Sequence, residues 1–420
     1  PVQWREVGDE AVLRDNHNAE SSSACRATAS RLLPSCAEVT TMHTTHTKRP
    51  FRALVAAGAL VAAVGASSLP IASASASVKH PHSVPTLLLY NAQGYGDSVA
   101  AAFNKTTSAF QVVPYDDSTG PLFTKIQAED ATGHPSWGMF WADGATEFAA
   151  LDSQHALVTG ITAANAPYNA AGKANLPANK SFAPTGLTVT GAFCYDKTAW
   201  GSAPFPTTME GLTALSGSND LGMNNPSVSG PTYPLIAGVM AHLGGLVATK
   251  HYTTAQINAA IAKGETFYKT LKNNGLSIHN TNGPTLGALE ANPAQLKAAT
   301  IQSSACYGDI AAGYWPTGGV KYLDYSVALP SNIAVNKKLS PALQADAKKF
   351  VAYVLSKTGQ QAMQAGDPQG DGLFWPVING VSPESGLPAY SATKAYSIDP
   401  YVWGPRETSI NTWFTNNIIN

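Results

Sequence analysis

Short apolar runs alternate with stretches of helical periodicity along most of the chain. Residues 86–90 (TLLLY) are bounded by Pro85 and by a polar loop at 91–96. That run predicts a strand buried on both faces of a parallel sheet. Asp97 is placed to cap a helix whose Val99, Ala102 and Phe103 share one face. Residues 110–113 read as a second strand, completing a right-handed βαβ unit. A helix opening at 118–121 with Pro121 in its first turn, an apolar run at 137–141 and a helix at 147–151 extend the pattern. The alternation predicts an open α/β sheet.

A second α/β region follows. Residues 187–195 (LTVTGAFCY) read as one strand, and helices are expected at 233–246 and 254–273. Residues 325–335 are again extended, interrupted by Pro330. Ser340 and Pro341 then start a helix with Leu343, Ala347, Phe350, Val351, Val354 and Leu355 on one face, capped by Gly359. The extended segments near 190 and 325 bracket the second region. They are expected to be two crossovers joining a first lobe, 84–190 plus 325–420, to a second, 191–324.

The beginning of the chain follows another pattern. From Met42, the basic residues Lys48, Arg49 and Arg52 precede an apolar run at 53–64, then Pro70 and Ala74-Ser75-Ala76. That order predicts a cleaved secretory signal peptide at 42–76, since the apolar run is too short to span a bilayer. Residues 1–41 lack periodicity and are expected to be a disordered upstream extension. The product would be periplasmic or secreted. No lipobox cysteine follows the signal.

Charge narrows the function classes. The net charge is -1 and 13% of residues are charged, which leaves no electrostatic footprint for nucleic acid. Removing the signal would discard Cys25 and Cys36, leaving Cys194 and Cys306 as an expected exported disulfide, with two separate thiols as the competing reading. No zinc spacing occurs, and nothing calls for a metal or cofactor.

Four stretches resemble one family: 87–103 (LLLYNAQGYGDSVAAAF), 118–129 (STGPLFTKIQAE), 225–238 (NPSVSGPTYPLIAG) and 348–363 (KKFVAYVLSKTGQQAM). In this order they are similar to the type II periplasmic binding proteins, specifically the ferric-ion and phosphonate-type solute-binding group. The resemblance implies a two-lobed α/β fold, a small-molecule solute in the cleft, and delivery to the membrane permease of an ABC importer, with the protein expected to be monomeric.

Ligands of open α/β sheets bind beyond the C-terminal ends of strands. That rule selects Asn91 and Gln93 after the first strand, Ser118, Thr119 and Gly120 at a helix start, and Trp141 with Asp143. It also selects Ser227, Ser229, Gly230, Thr232 and Tyr233, where a helix start favours an anion. Tyr314 and Trp315 are expected to supply an aromatic wall. A plain N-cap competes with each Ser or Thr reading, and a core position competes for Trp141. Arg406 is the only arginine beyond the signal, so an anionic, phosphonate-like solute would be held without arginine forks. Arg406 is also a candidate ion-pair partner of Glu407. Ferric ion is the alternative solute, but the adjacent Tyr-Tyr pair usual in ferric binders is absent.

A secreted serine hydrolase is the rival reading. Ser391–Lys394 matches Ser-x-x-Lys and Lys357–Gly359 matches Lys-Thr-Gly, in reversed order, with Lys357 expected at a helix end. No Gly-x-Ser-x-Gly or His-Glu-x-x-His occurs, so no catalysis is expected. Repeats and Ser/Thr/Pro-rich stalks of an adhesive protein are also missing.

Overall fold

The computed structural model describes residues 84–248, 250–324 and 326–420, all within one unit, Val78–Asn420. The expected signal peptide, the upstream extension, Cys25 and Cys36 lie outside the described residues, as does Tyr325. Among the described residues, ten strands form two sheets. They are β1 (Thr86–Asn91), β2 (Gln111–Asp116), β3 (Met139–Asp143), β4 (Phe182–Thr190), β5 (Ala192–Asp196), β6 (Leu221–Asn224), β7 (Ser277–His279), β8 (Ala298–Ile301), β9 (Gly318–Lys321) and β10 (Val327–Val335). The first sheet has the order β2-β1-β3-β10-β4, the second β7-β6-β8-β5-β9. In each sheet three neighbouring strands run parallel, and a strand leading from one sheet to the other joins antiparallel.

Two crossovers link the sheets. The single strand expected at 187–195 is two strands, β4 and β5, broken at Gly191. Gly191 has φ +73°, a left-handed conformation, and a Cβ there would come 2.6 Å from Leu235 Cδ1. The return path enters β10, and Ser326 Oγ donates to the Gly191 carbonyl at 3.2 Å, tying the two crossovers together.

Pro330 does not interrupt β10. The strand pairs with β4 on both sides of it, while pairing to β3 begins only at Ser331. The missing N–H of proline therefore lies beyond the β3 ladder, where the Pro330 carbonyl accepts from Gly144 N (2.9 Å).

Each sheet has its own apolar core. Leu87, Leu89, Val99, Phe103, Trp141, Phe350 and Val351 pack against one another on the first. Phe193, Met223, Tyr233, Ile236, Met240, Phe267 and Tyr268 do so on the second. The helix expected at 254–273 is Thr254–Asn273. Its capping box pairs Thr253 with Gln256, satisfying two otherwise orphaned N–H groups.

Three local expectations are corrected. Asp97 stands inside the helix Gly96–Asn104 rather than capping it; Tyr95 holds the cap position. Gly359 does not end a helix. The helix Pro341–Val354 stops, and Ser356 caps a new one, Lys357–Gly366, accepting from Gly359 N at 3.0 Å. A Cβ on Gly359 would overlap the Tyr353 carbonyl, so the close approach of the two helices requires glycine. Lys357 therefore begins a helix.

The last stretch of the chain, expected with the first lobe, packs against both halves, with Gly404 set against Thr146 and Ala150. Trp403, Ile410, Phe414 and Ile418 belong to the apolar cluster of the second sheet. Tyr401 reaches back to the first half, its hydroxyl donating to Asp152 Oδ2 (2.8 Å). Ile410, Phe414 and Ile418 recur at helical spacing, which turns one face of the final helical stretch onto the second core.

Candidate functional site

The loops that follow β1, β2 and β3 meet the loops that follow β6 and β8. After β1, Asn91 shapes its own loop. Its Oδ1 accepts from Gln93 N (3.2 Å), and its Nδ2 donates to the Gln93 carbonyl (2.9 Å) and to Asp116 Oδ1 (2.6 Å). This turn buries Gln93, 3% exposed, with its side-chain amide 3.3 Å from Ser331 Oγ and hydrogen-bonded to Asp143.

After β2, Ser118 precedes the helix Thr119–Thr132 but its side chain makes no cap bond. Thr119 and Gly120 are where the halves touch. Gly120 N donates to the Val228 carbonyl (3.4 Å). A Cβ on Gly120 would overlap the Ser227 carbonyl, and one on Gly230 would overlap Thr119 Oγ1. The approach thus needs a missing side chain on each side. Gly120→Val is expected to wedge the halves apart and raise the radius of gyration in small-angle scattering. An unchanged radius would mean the loop yields without opening.

Beyond β6, Asn224 orders the facing loop. Its amide donates to Ser229 Oγ (3.2 Å) and Asn282 Oδ1 (2.7 Å), and its Oδ1 accepts from Thr285 Oγ1 (2.6 Å). Ser229, Gly230 and Thr232 are buried there, whereas Ser227 is exposed, its hydroxyl 3.4 Å from that of Thr415.

Asp143, at the end of β3, is the centre of the contact between halves. It is 5% exposed and accepts from Ser331 Oγ and, at 2.8 Å, from Gln302 Nε2 of the opposite half. Burial pushes its carboxyl up, and the bonds from Ser331, Gln93 and Gln302 only partly oppose this. Asp371, whose Oδ2 accepts from Gly94 N (2.9 Å), is pushed up to about 8 by burial and then by the charge of Asp143. The same turn reaches the other half, since a Cβ on Gly308 would overlap the Gln369 carbonyl.

Asn91, Gln93, Ser118, Thr119, Gly120, Asp143, Ser227, Ser229, Gly230 and Thr232 thus lie on the facing loops. Trp141, Tyr233, Tyr314 and Trp315 do not. Trp141 is fully buried against Tyr95 and Phe350, its Nε1 donating to Thr185 (3.0 Å). Tyr233 is a core residue bonded to the Trp403 carbonyl (2.5 Å). Trp315 packs beside the disulfide and donates to Asp196 (3.1 Å). Tyr314 is exposed beyond the C-terminal end of the helix Ser303–Ala311. The turn after that helix sends Trp315 into the core, so Trp315 cannot serve as the expected aromatic wall.

Sequence reasoning missed Gln302, Ser331 and Asp371. Gln302 directly follows the buried strand β8, so the strand-end rule used for Asn91 would have found it. Asp371 neither follows a strand nor opens a helix, so that rule does not reach it. Arg406, a candidate partner of Glu407, instead donates to the Val402 carbonyl (2.5 Å). Ser391 lies in an exposed 3-10 turn and Lys357 starts a helix, so neither hydrolase motif has its structural setting.

Between the β1 and β2 loops lies a recess of about 420 Å³, lined by Asn91, Ala92, Gln93, Gly94, Asp97, Asp116, Asp117 and Ser118. Among the described residues, no group of three or more His, Cys, Asp or Glu is placed to hold a metal ion, and no helix is long and apolar enough to cross a membrane.

A search of curated protein sequences returned no significant match. Solved structures match in fold. Iron-bound HitA from Pseudomonas aeruginosa is 20% identical with a TM-score of 0.61, over 78% of this chain and 98% of its own. The periplasmic binding protein AfuA from Actinobacillus pleuropneumoniae, with exogenous fructose-6-phosphate bound, is 14% identical with a TM-score of 0.63, over 80% and 98%. A periplasmic thiamin binding protein is 15% identical with a TM-score of 0.61, over 81% and 98%. The fold is that of the two-lobed type II periplasmic binding proteins, as the four sequence stretches implied. With residues 98–395 matching its description, the chain belongs to the bacterial extracellular solute-binding protein family.

Proposed function

We propose that this protein captures a small polar solute between its halves and presents it to the membrane permease of an ABC importer, as a monomer and without catalysis. The reading rests chiefly on the bond from Gln302 to Asp143, which joins loops of the two halves at the strand ends. Contacts that span a gap favour the closed form when a ligand adds to them. Export through the signal at 42–76 into the periplasm or medium agrees with an extracellular solute-binding family.

The three structural relatives carry iron, a sugar phosphate or thiamin in their names, so they do not agree on a solute. Ferric ion is the weaker choice here. The Tyr-Tyr pair is missing from the sequence, and no His, Cys, Asp or Glu group among the described residues suits a metal. A thermal-shift screen tests the reading. A solute at 100 times its dissociation constant adds about 2.7 kcal/mol to stability, and small-angle scattering should show compaction with the same compound. No compaction at saturation would count against capture between halves.

A further inference from the structure

Gln302, which reaches Asp143 from the opposite half, meets a second acid there. Gln93 is hydrogen-bonded to Asp143, and the next residue, Gly94, donates its N–H to Asp371 Oδ2 (2.9 Å). Two consecutive residues of one loop therefore bring the two carboxyls together, and the Gln302 amide bonds to both. The turn that carries Asp371 also abuts the opposite half, where a Cβ on Gly308 would overlap the Gln369 carbonyl. Both acids thus stand at the seam between the halves, Asp143 only 5% exposed and Asp371 half-buried at its edge.

The groups that face this pair are acids and uncharged donors. Ser331 comes from β10, Gln93 from the loop after β1, and Tyr95 from the start of the helix Gly96–Asn104. Gln302 follows β8, Glu147 lies on the helix Thr146–Ser153, and Asp367 belongs to the turn of Asp371 itself. No Lys, Arg or His is among the groups that shift either carboxyl. Two neighbouring carboxyls with no cation between them do not both ionise readily away from water, and they titrate as a pair.

We infer that closing the halves takes up a proton, shared at the seam by Asp143 and Asp371, so that the protein grips its solute more firmly in acid than in alkali. This rests on the capture reading and adds a regulation to it. Opening withdraws Gln302 and Gly308 and admits water to both acids, which returns them toward ordinary carboxyl behaviour. The ordinary aspartate value is 3.8, and burial, then the charge of Asp143, pushes Asp371 up to about 8. Between those values the closed form holds a proton that the open form has released. The advantage of closure is therefore complete below the ordinary value and is lost as pH rises through about 8. One linked proton changes the closed-to-open ratio by about tenfold per pH unit inside that window.

The test is small-angle scattering of the protein without solute from pH 5 to 9.5, with circular dichroism recorded at each pH. The radius of gyration is expected to rise with pH while the helical signal holds steady. Asp371→Asn keeps an oxygen that can accept from Gly94 but cannot ionise, and should stay compact throughout. Glu147→Gln removes a neighbouring acid and leaves the pair, so it should still open. A constant radius over the whole range would overturn the proton linkage. So would a radius that rises only as the helical signal is lost, which would be unfolding. Opening that persists in Asp371→Asn would place the proton on another group and overturn the assignment. A solute screen read by scattering separates this failure from that of capture. If a solute compacts the protein although pH does not alter its radius, capture stands and the linkage falls. If neither pH nor any solute changes the radius, both fall.

Discussion

Breaking the Cys194–Cys306 disulfide is expected to lower unfolding stability by about 4–5 kcal/mol. The two residues are 112 positions apart, with Cα atoms 6.3 Å apart, and both are fully buried. The bond closes nearly the whole second half into a loop, so cutting it releases chain entropy mainly in the unfolded state. It also ties β5 to the helix Ser303–Ala311, one turn beyond Gln302, the residue that bridges to Asp143. Urea unfolding of the oxidised protein, the reduced protein and the double variant Cys194→Ala/Cys306→Ala provides the measurement. The last two should agree in midpoint, well below the first, and reductant should leave the double variant unchanged. A loss under about 1 kcal/mol would mean that the unfolded chain gains little freedom from the cut.

Glu147→Gln should stabilise the protein at pH 8 and flatten its pH dependence. Glu147 lies on the helix Thr146–Ser153 of the first half, 1% exposed, bonded to Thr146 Oγ1 (2.8 Å). Burial pushes its carboxyl up to about 7, with the nearby Asp143 adding to the rise. Glu407, from the C-terminal stretch, is also buried and raised, by burial and then by Glu147. Tyr233 feels both acids, and Arg406 is the one nearby cation acting on it.

The ordinary glutamate value is 4.5, so between about 4.5 and 7 the folded protein binds more protons than the unfolded chain. Stability from Glu147 is therefore full below 4.5 and falls as pH rises through 7, by about 3 kcal/mol. Glu129 acts in the opposite sense. Burial raises it, but bonds from Lys125, Tyr90 and Ser136 prevail and hold it at about 2. Its contribution is present above the ordinary value and lost as pH falls toward 2. Melting curves from pH 5 to 8 should show the wild type losing stability with rising pH. The Glu147→Gln variant should lose distinctly less. Parallel profiles would mean that Glu147 is ionised in the fold at little cost.

Only part of the site was readable from the chain. Asn91, Gln93, Thr119, Asp143 and Gly230 were found because they directly follow buried strands or open helices, positions that local pattern marks. Tyr233 opens a helix but turns inward, and Trp141 stands within β3 rather than at its end. The pattern locates a Cα at a strand or helix end and does not say which way a large ring packs. Asp371 came from a distant turn, brought beside Asp143 by contacts some 230 positions apart that no periodicity records.

The order of strands and helices, the crossovers near 190 and 325, and the family resemblance lie in local alternation and short motifs, because backbone hydrogen bonding and apolar burial act over a few residues. Where the final helices pack, which glycines let the halves touch, and the gathering of Asp97, Asp116 and Asp117 at one recess were decided by tertiary packing. Those features depend on distances between remote segments, and such distances exist only once both cores have formed.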